Sequence, residues 1–168
     1  MRYAYMDSPV GRLLLAADDE ALRLIEFPSP RHPMSRVDDW IEGENGILRG
    51  TRAQLDEYFE GRRSRFELPL GPRGTEFQRA VWHTLAGIPY GTTISYAQLA
   101  QRVGRASAMR AVGAANGRNP LPIVLPCHRV VGSDGSLTGF GGGLPTKQFL
   151  LELEGALAPA ADLFGASA

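Results

Sequence analysis

Two helix-start signals, Thr75-x-x-Gln78 and Ser95-x-x-Gln98, constrain the fold of this 168-residue chain more than any other feature. In each, a hydroxyl side chain and the glutamine three residues later cap the first turn reciprocally. The second signal predicts a short helix from Tyr96 to Val103, closed by Gly104. The first predicts a helix that ends near Gly87 and Pro89, with an inward face formed by Phe77, Val81, Trp82 and Leu85.

A third helix is predicted from about Ser107 to Asn116, closed by Gly117. Two short helices joined by a turn that contains glycine are typical of a helix-turn-helix. Arg110 is the only long polar side chain on a face of small residues, namely Ala106, Ser107, Ala108, Ala111, Gly113, Ala114 and Ala115. Major-groove readers project several long polar groups, whereas small residues allow close approach to the narrow minor groove. The alternative is that the small residues pack a tight helix pair.

The remaining segments predict a small α+β domain over residues 1–70, followed by a mostly helical domain over 71–155. Short apolar runs predict strands at Tyr3–Met6, Arg12–Ala17 and Ala21–Phe27. A helix is expected from Leu48 to Phe59, with Leu48, Leu55 and Phe59 inward and Gly61 as its stop. We expect 68–72 to be a linker, 144–154 to be a last helix and 156–168 to be a flexible tail. The first domain offers no chemistry and is expected to act as a scaffold.

The run Pro126-Cys127-His128-Arg129 contains the only cysteine of the chain, directly followed by one of its three histidines. A thiol attacks as a thiolate, and a neighbouring imidazole is the usual means of forming one near neutral pH. The alternative is an inert core cysteine in an apolar run. A cysteine strand is expected here, after the turn at Asn119.

Three further side chains are candidates for chemistry on grounds of position. Tyr96 and Arg110 begin successive helices, so the hydroxyl can lie near the guanidinium; the alternatives are a half-buried core tyrosine and a surface ion pair. Glu154 lies in the last turn of its helix, where the helix dipole disfavours a carboxylate unless a cation such as His128 is near. Only one of Glu152 and Glu154 can serve His128, because they lie on different faces.

Composition and spacing bound the remaining possibilities. The three histidines are far apart and no CxxC or HxxxH spacing occurs, so we expect no metal. The sequence lacks a signal-peptide core and an apolar run near the roughly 20 residues of a membrane helix. With a single cysteine, these features favour a cytoplasmic protein. The balance of charge is −3 over residues 1–70 and +4 over 71–155. A basic second part is compatible with a phosphate or nucleic-acid partner and equally with an ordinary solvated surface.

Several motifs, in order, resemble those of the O6-alkylguanine-DNA alkyltransferase family. The active-site signature is similar to Asn119-Pro120-x-Pro122-Ile123-x-x-Pro126-Cys127-His128-Arg129-Val130. The resemblance extends over Thr75 to Gly155 through Pro89-Tyr90-Gly91-x-x-x-Ser95-Tyr96, Arg110-Ala111-Val112-Gly113, Gly139-Phe140-Gly141-Gly142-Gly143 and Lys147-x-x-Leu150-Leu151-x-x-Glu154. It implies an RNase H-like N-terminal α+β domain and a C-terminal, mostly helical domain with a winged-helix-like helix-turn-helix.

The resemblance also implies residue roles and a partner. Cys127 would accept the alkyl group, with His128 as its base through a water, Glu154 orienting the imidazole, and Tyr96 donating to the flipped base. Asn119 would join the helix-turn-helix to the active site. DNA would be bound through its minor groove by a monomer, using Tyr96, Ser107, Ala108, Arg110 and Ala111. The substrate pocket would be formed by Val130, Phe140, Gly141 and Gly142.

The resemblance implies direct-reversal repair, in which each molecule is used once and needs no cofactor. Many members have Tyr in place of Phe140, and some have Ser in place of Gly141, so substrate range and rate can differ here, including activity on O4-alkylthymine. Two alternatives remain: a sensor that binds alkylated guanine without repairing it, and a Cys-His-Glu hydrolase. A helix-turn-helix regulator is disfavoured because the reading helix has so few long polar side chains.

Overall fold

The computed structural model describes residues 1–30, 32–33 and 39–157. The first part contains a four-stranded sheet made of β1 (Arg2–Met6), β2 (Leu13–Ala17), β3 (Leu22–Glu26) and β4 (Ile41–Glu42). The strand order is β3-β2-β1-β4, with antiparallel pairs except for the parallel pair β1 and β4. The three predicted strands are thus confirmed. Most of the predicted tail, from residue 158 on, lies outside the described residues.

One helix, α1 (Gly46–Phe59), packs on this sheet. It begins before the predicted Leu48, because the Asn45 side chain caps it by accepting from the Leu48 N–H at 2.8 Å. The prediction that Phe59 faces inward is wrong in part: Phe59 is half-buried, while its neighbour Tyr58 is fully buried. Tyr58 therefore faces the interior together with Leu48 and Leu55.

The segment predicted as a linker is attached to the sheet. Leu70 forms a parallel bridge with Leu22. The Leu22 N–H donates to the Pro69 carbonyl at 2.8 Å, and the Gly71 N–H donates to the Leu22 carbonyl at 2.9 Å. The prediction of a plain linker is wrong, because these backbone groups continue the sheet at the edge of β3.

The second part is mostly helical, as predicted, and both capping boxes are present. Its elements are α2 (Glu76–Leu85), β5 (Ile94–Ser95), α3 (Tyr96–Val103), α4 (Met109–Gly117), β6 (Val130–Val131) and α5 (Leu144–Leu153). Gly104 caps α3 with a φ of +80°, the left-handed conformation that glycine adopts without strain. A 3-10 turn (Ala106–Ala108) precedes α4, so this helix begins two residues later than predicted.

A single buried cluster joins the two parts. It contains Leu13 and Leu55 from the first part and Trp82, Leu99 and Leu150 from the second. Within the described ranges, no helix is long and apolar enough to cross a membrane. The expected cysteine strand is instead a 3-10 turn (Cys127–Arg129), and β6 follows it directly to pair in parallel with β5.

Candidate active site

Asn119 shapes the loop that carries Cys127. Its Nδ2 donates to the Leu125 carbonyl at 2.7 Å, and its Oδ1 accepts from the Leu121 N–H at 2.9 Å. Between these contacts Ile123 has a φ of +74°, a strained conformation for a β-branched residue. The Asn119 bonds therefore stabilise a loop that the backbone alone disfavours, and this loop places Cys127 in the interior.

Glu154 is the centre of a buried hydrogen-bond network. Its Oε2 lies 2.7 Å from His128 Nε2 and accepts from the Tyr58 hydroxyl at 2.6 Å. The Arg129 guanidinium forms a fork on the same carboxylate, with Nε 2.7 Å from Oε1 and Nη2 3.0 Å from Oε2. The structure thus pairs Glu154, not Glu152, with His128, since Glu152 accepts from Gln148 at 3.0 Å.

The position of the carboxylate sets the tautomer of His128. An ionised carboxylate can only accept, so Nε2 carries the proton and Nδ1 has the lone pair in the neutral ring. The pKa of His128 is lowered, because burial opposes the charged form more than the bond to Glu154 favours it. Nδ1 is buried without a hydrogen-bond partner among the described residues. This nitrogen is therefore available to accept a proton.

Cys127 needs such an acceptor. Burial raises the pKa of its thiol to about 11, although the Asn119 side chain and the charge of Lys147 act in the opposite direction. With that pKa only about one thiol in 10⁴ would be ionised at pH 7 without further help. A thiolate at Cys127 therefore depends on a base.

Lys147 is fully buried behind this site. Its Nζ donates to the carbonyls of Val130 at 2.6 Å and Thr138 at 2.9 Å. Burial lowers the pKa of Lys147 to about 8, while Cys127 acts to raise it. The ammonium thus supports a negative charge on Cys127 and links β6 to the glycine-rich loop formed by residues 132–143.

Tyr96 is half-buried at the start of α3. Its hydroxyl donates to the Thr138 carbonyl at 3.0 Å, so Tyr96 and Lys147 bind the same oxygen. Burial raises the pKa of Tyr96, and its interaction with Cys127 adds to this rise. The hydroxyl is therefore protonated at neutral pH and can act as a donor.

A cavity of about 310 Å³ opens beside Cys127. Its lining includes Asn119, Phe140, Gly141 and Gly142, and it also includes Phe27 from the first part of the chain. The rings of Phe27 and Phe140 lie 5.6 Å apart, and a side chain on Gly142 would come within 2.6 Å of the Phe27 ring. Val130, predicted as a pocket residue, is not in this lining; its side chain is fully buried.

Apart from Tyr96 on α3, the predicted DNA-binding residues lie in the first turn of α4 and in the 3-10 turn before it. Ser107, Arg110 and Ala111 are exposed, and Ala108 is half-buried. Arg110 forms no ion pair with any residue that the structure describes, in contrast to the surface-pair alternative. A long cation and small side chains are therefore presented to solvent together.

Three residues at the site, Arg129, Lys147 and Tyr58, were not singled out from local sequence signals. Arg129 follows the Cys-His pair directly. Lys147 shares a helical face with the buried Leu150 and Leu151, and a charge on such an apolar face would have been a usable signal. Tyr58 is 96 residues from Glu154, and no local pattern reports such a contact. The first part, which was expected to act as a scaffold, thus contributes a hydrogen bond to the site.

Metal-ligating side chains do not gather in groups of three or more anywhere in ranges 1–30, 32–33 and 39–157. The loop 132–143 contributes the Thr138 carbonyl, which binds Lys147 and Tyr96, and it also contributes Phe140, Gly141 and Gly142 to the cavity lining.

Comparisons with known proteins cover nearly the whole chain. Residues 1–72 match the ribonuclease-like domain, and residues 76–156 the DNA-binding domain, of 6-O-methylguanine DNA methyltransferase. The methylated-DNA–protein-cysteine methyltransferase of Methanosarcina acetivorans is 46% identical over 155 residues, covering 92% of this chain and 99% of that protein. The methylated-DNA–protein-cysteine methyltransferase of Mycolicibacterium paratuberculosis is 46% identical over 160 residues, which cover 95% of this chain and 96% of that protein.

Solved structures agree with the sequence comparison. A crystal structure of the Mycobacterium tuberculosis OGT in complex with DNA superposes with a TM-score of 0.86 at 44% identity, covering 95% of this chain and 96% of that one. A crystal structure of the O6-methylguanine methyltransferase of the same organism superposes with a TM-score of 0.83 at 44% identity. This match covers 97% of the present chain and 98% of the other. The first part therefore has the ribonuclease-like fold and the second is the DNA-binding domain. The chain belongs to the 6-O-methylguanine DNA methyltransferase family.

Proposed function

We propose that this chain repairs alkylated guanine in DNA by transferring the alkyl group from O6 to the sulfur of Cys127. Family membership gives the reaction, that of a methylated-DNA–protein-cysteine methyltransferase. One observation carries the assignment to Cys127. The only cysteine of the chain lines a cavity and precedes a histidine whose Nδ1 has no hydrogen-bond partner in the part of the chain that the structure describes, while its Nε2 is held by a buried carboxylate.

The proposed reaction is a displacement at a saturated carbon. His128 accepts the Cys127 proton, directly or through one water, and Glu154 stabilises the resulting imidazolium. The thiolate forms a bond to the alkyl carbon as the bond from that carbon to O6 breaks. The electron pair remains on guanine, and the Tyr96 hydroxyl gives a proton towards N3.

The product is a thioether, which water does not readily cleave, so each molecule acts once. The displacement uses only groups of the chain and therefore requires no metal or organic cofactor.

The base must leave the stack before a buried sulfur can reach it. Flipping costs a few kcal/mol, which protein contacts have to offset. We propose that Arg110 fills the place that the flipped base leaves in the stack. The small residues Ser107, Ala108 and Ala111 would contact the minor groove. Exposure of this face and the absence of an ion pair at Arg110 within the described chain support this assignment. We infer a cytoplasmic monomer as the acting form.

The substrate pocket is assigned to Phe140, Gly141 and Gly142, which line the cavity beside Cys127. Val130, which was also expected in the pocket, lies outside this lining and binds Lys147 through its carbonyl. Asn119 holds the loop between α4 and Cys127, so it connects the helix-turn-helix to the sulfur. Because Phe140 and Gly141 offer no side-chain hydroxyl, contacts to O6 would come from backbone groups.

The substitution Cys127→Ala tests this proposal. We expect no transfer of label from a duplex with O6-[³H-methyl]guanine to the variant, while its affinity for that duplex, measured by fluorescence anisotropy, stays within about threefold of the original. Label transfer to the variant would refute the assignment. Binding without transfer by the unmodified chain would favour the sensor alternative, and turnover of a thioester without DNA would favour the hydrolase.

A further inference from the structure

The Tyr58 hydroxyl reaches the active-site carboxylate from the other part of the chain. Tyr58 lies near the end of α1 and is fully buried. Its ring packs against Phe59, Phe66 and Tyr90, with centroids 5.3, 5.6 and 6.4 Å away. Its hydroxyl donates to Glu154 Oε2 at 2.6 Å. The proposed transfer does not explain why a buried tyrosine occupies the oxygen that also binds His128.

A buried carboxylate next to a histidine creates a difficulty for base catalysis. An unshared negative charge at bonding distance strongly favours the imidazolium. An imidazolium cannot accept the Cys127 proton, because Nδ1 is then already protonated. Glu154 must therefore orient His128 without holding it in the charged form.

The contacts on Glu154 resolve this difficulty. Oε2 accepts from Tyr58, from His128 and from one arm of Arg129, and Oε1 accepts from the other arm. Each additional donor takes up part of the charge that would otherwise act on the imidazole. Tyr58 is a neutral donor, and among the described residues it is the one donor to Glu154 that comes from the ribonuclease-like domain.

We propose that Tyr58 is a positioning residue for the transfer reaction, which shares the charge of Glu154 with Arg129 so that His128 stays neutral until it accepts the Cys127 proton. The inference rests on the proposed function, in which His128 is the base. The charged groups that act on His128 come from two elements: Arg129 lies on its own turn, and Lys147 and Glu154 lie on or at the end of α5. Tyr58 on α1 and Tyr90 before β5 face Glu154 and Arg129, and Cys127 precedes His128 in the chain.

A purely structural role for the hydroxyl predicts a different result. The Arg129 fork already fixes the plane of the carboxylate through two bonds. Tyr58→Phe keeps the ring and its three aromatic contacts, so it removes only the donor from Oε2. We therefore expect the geometry to persist and the basicity of His128 to rise.

The rate of methyl transfer as a function of pH separates the two roles. Because protonated His128 is inactive, the acidic limb of the profile reports its ionisation. In Tyr58→Phe we expect the midpoint of this limb to move upward by about one pH unit. A shift of that size corresponds to the loss of one hydrogen bond to a charged group. The alkaline plateau should not fall. Tyr90→Phe is the matched control, because Tyr90 packs beside Tyr58 but donates no bond to Glu154 within the described residues.

A second measurement does not depend on transfer. The ¹⁵N shifts of the His128 imidazole, followed against pH in the unalkylated protein, should give a higher pKa in Tyr58→Phe than in the original chain or Tyr90→Phe. An unchanged pKa and midpoint, with or without a lower plateau, would overturn the proposal. Failure of the original chain to methylate Cys127 would instead overturn the proposed function, while the imidazole titration would still decide on Tyr58.

Discussion

Arg129→Met removes the permanent cation that contacts Glu154 and should strongly destabilise the fold. Arg129 is 6% exposed and donates three hydrogen bonds, two to Glu154 and one of 2.7 Å to the Ile88 carbonyl. Methionine retains the apolar stem of the side chain but leaves the buried Glu154 carboxylate without its permanent counter-ion and removes the donor to the Ile88 carbonyl. Breaking a buried ion pair on one side costs about 3–5 kcal/mol.

Urea unfolding at pH 7, followed by circular dichroism, measures this loss. In a chain of this length a loss of that size corresponds to a fall in Tm of roughly 6–20 °C. Arg62→Met is the matched control, because the pair of Arg62 with Glu60 has side chains that are 62% and 57% exposed. Exposed pairs contribute about 0–1 kcal/mol, so this control should unfold almost as the original chain does. Equal free energies of unfolding for the two variants would refute the view that Arg129 neutralises a buried charge.

Two further predictions concern DNA and acid. Arg110→Ala should slow reaction with O6-methylguanine in duplex DNA by at least about tenfold, while reaction with the free base O6-benzylguanine changes little; equal losses would exclude a role in filling the stack. Burial alone would raise the pKa of Glu154, but the bonds and charges of His128 and Arg129 outweigh it and hold the pKa at about 2 instead of 4.5. Because the pKa of Glu154 is lower in the folded state, its contribution to stability is complete well above pH 4.5 and is lost as the pH falls towards 2. By pH 3 the free energy of unfolding should have fallen by about 2 kcal/mol through this group. Urea titrations at pH 7 and pH 3 should show a smaller loss in Arg129→Met, and an equal loss would contradict this origin.

Local sequence signals predicted the helices around the site well. The capping boxes at Thr75 and Ser95 fix α2 and α3, because the bonds involved join residues three apart. The predicted start of α4 was two residues too early, since no side-chain cap marks the observed start and the preceding 3-10 turn has no distinct sequence pattern.

Long-range contacts account for what the sequence did not reveal. The bridge between Leu22 and Leu70 and the bond between Tyr58 and Glu154 join segments 48 and 96 residues apart. Both depend on how the two parts pack, and not on any local preference. The pairing of His128 with Glu154 could be anticipated because a carboxylate at the end of a helix needs a cation nearby. The roles in the reaction that are assigned to Cys127, Tyr96, Asn119 and the loop 132–143 remain predictions.

The most direct test is the mass of the protein and of its Cys127 peptide after mixing with one equivalent of duplex that contains a single O6-methylguanine. The account predicts a gain of one CH₂ on that peptide, with no further gain when more duplex is added. No gain, or a gain on any other peptide, would contradict transfer to Cys127.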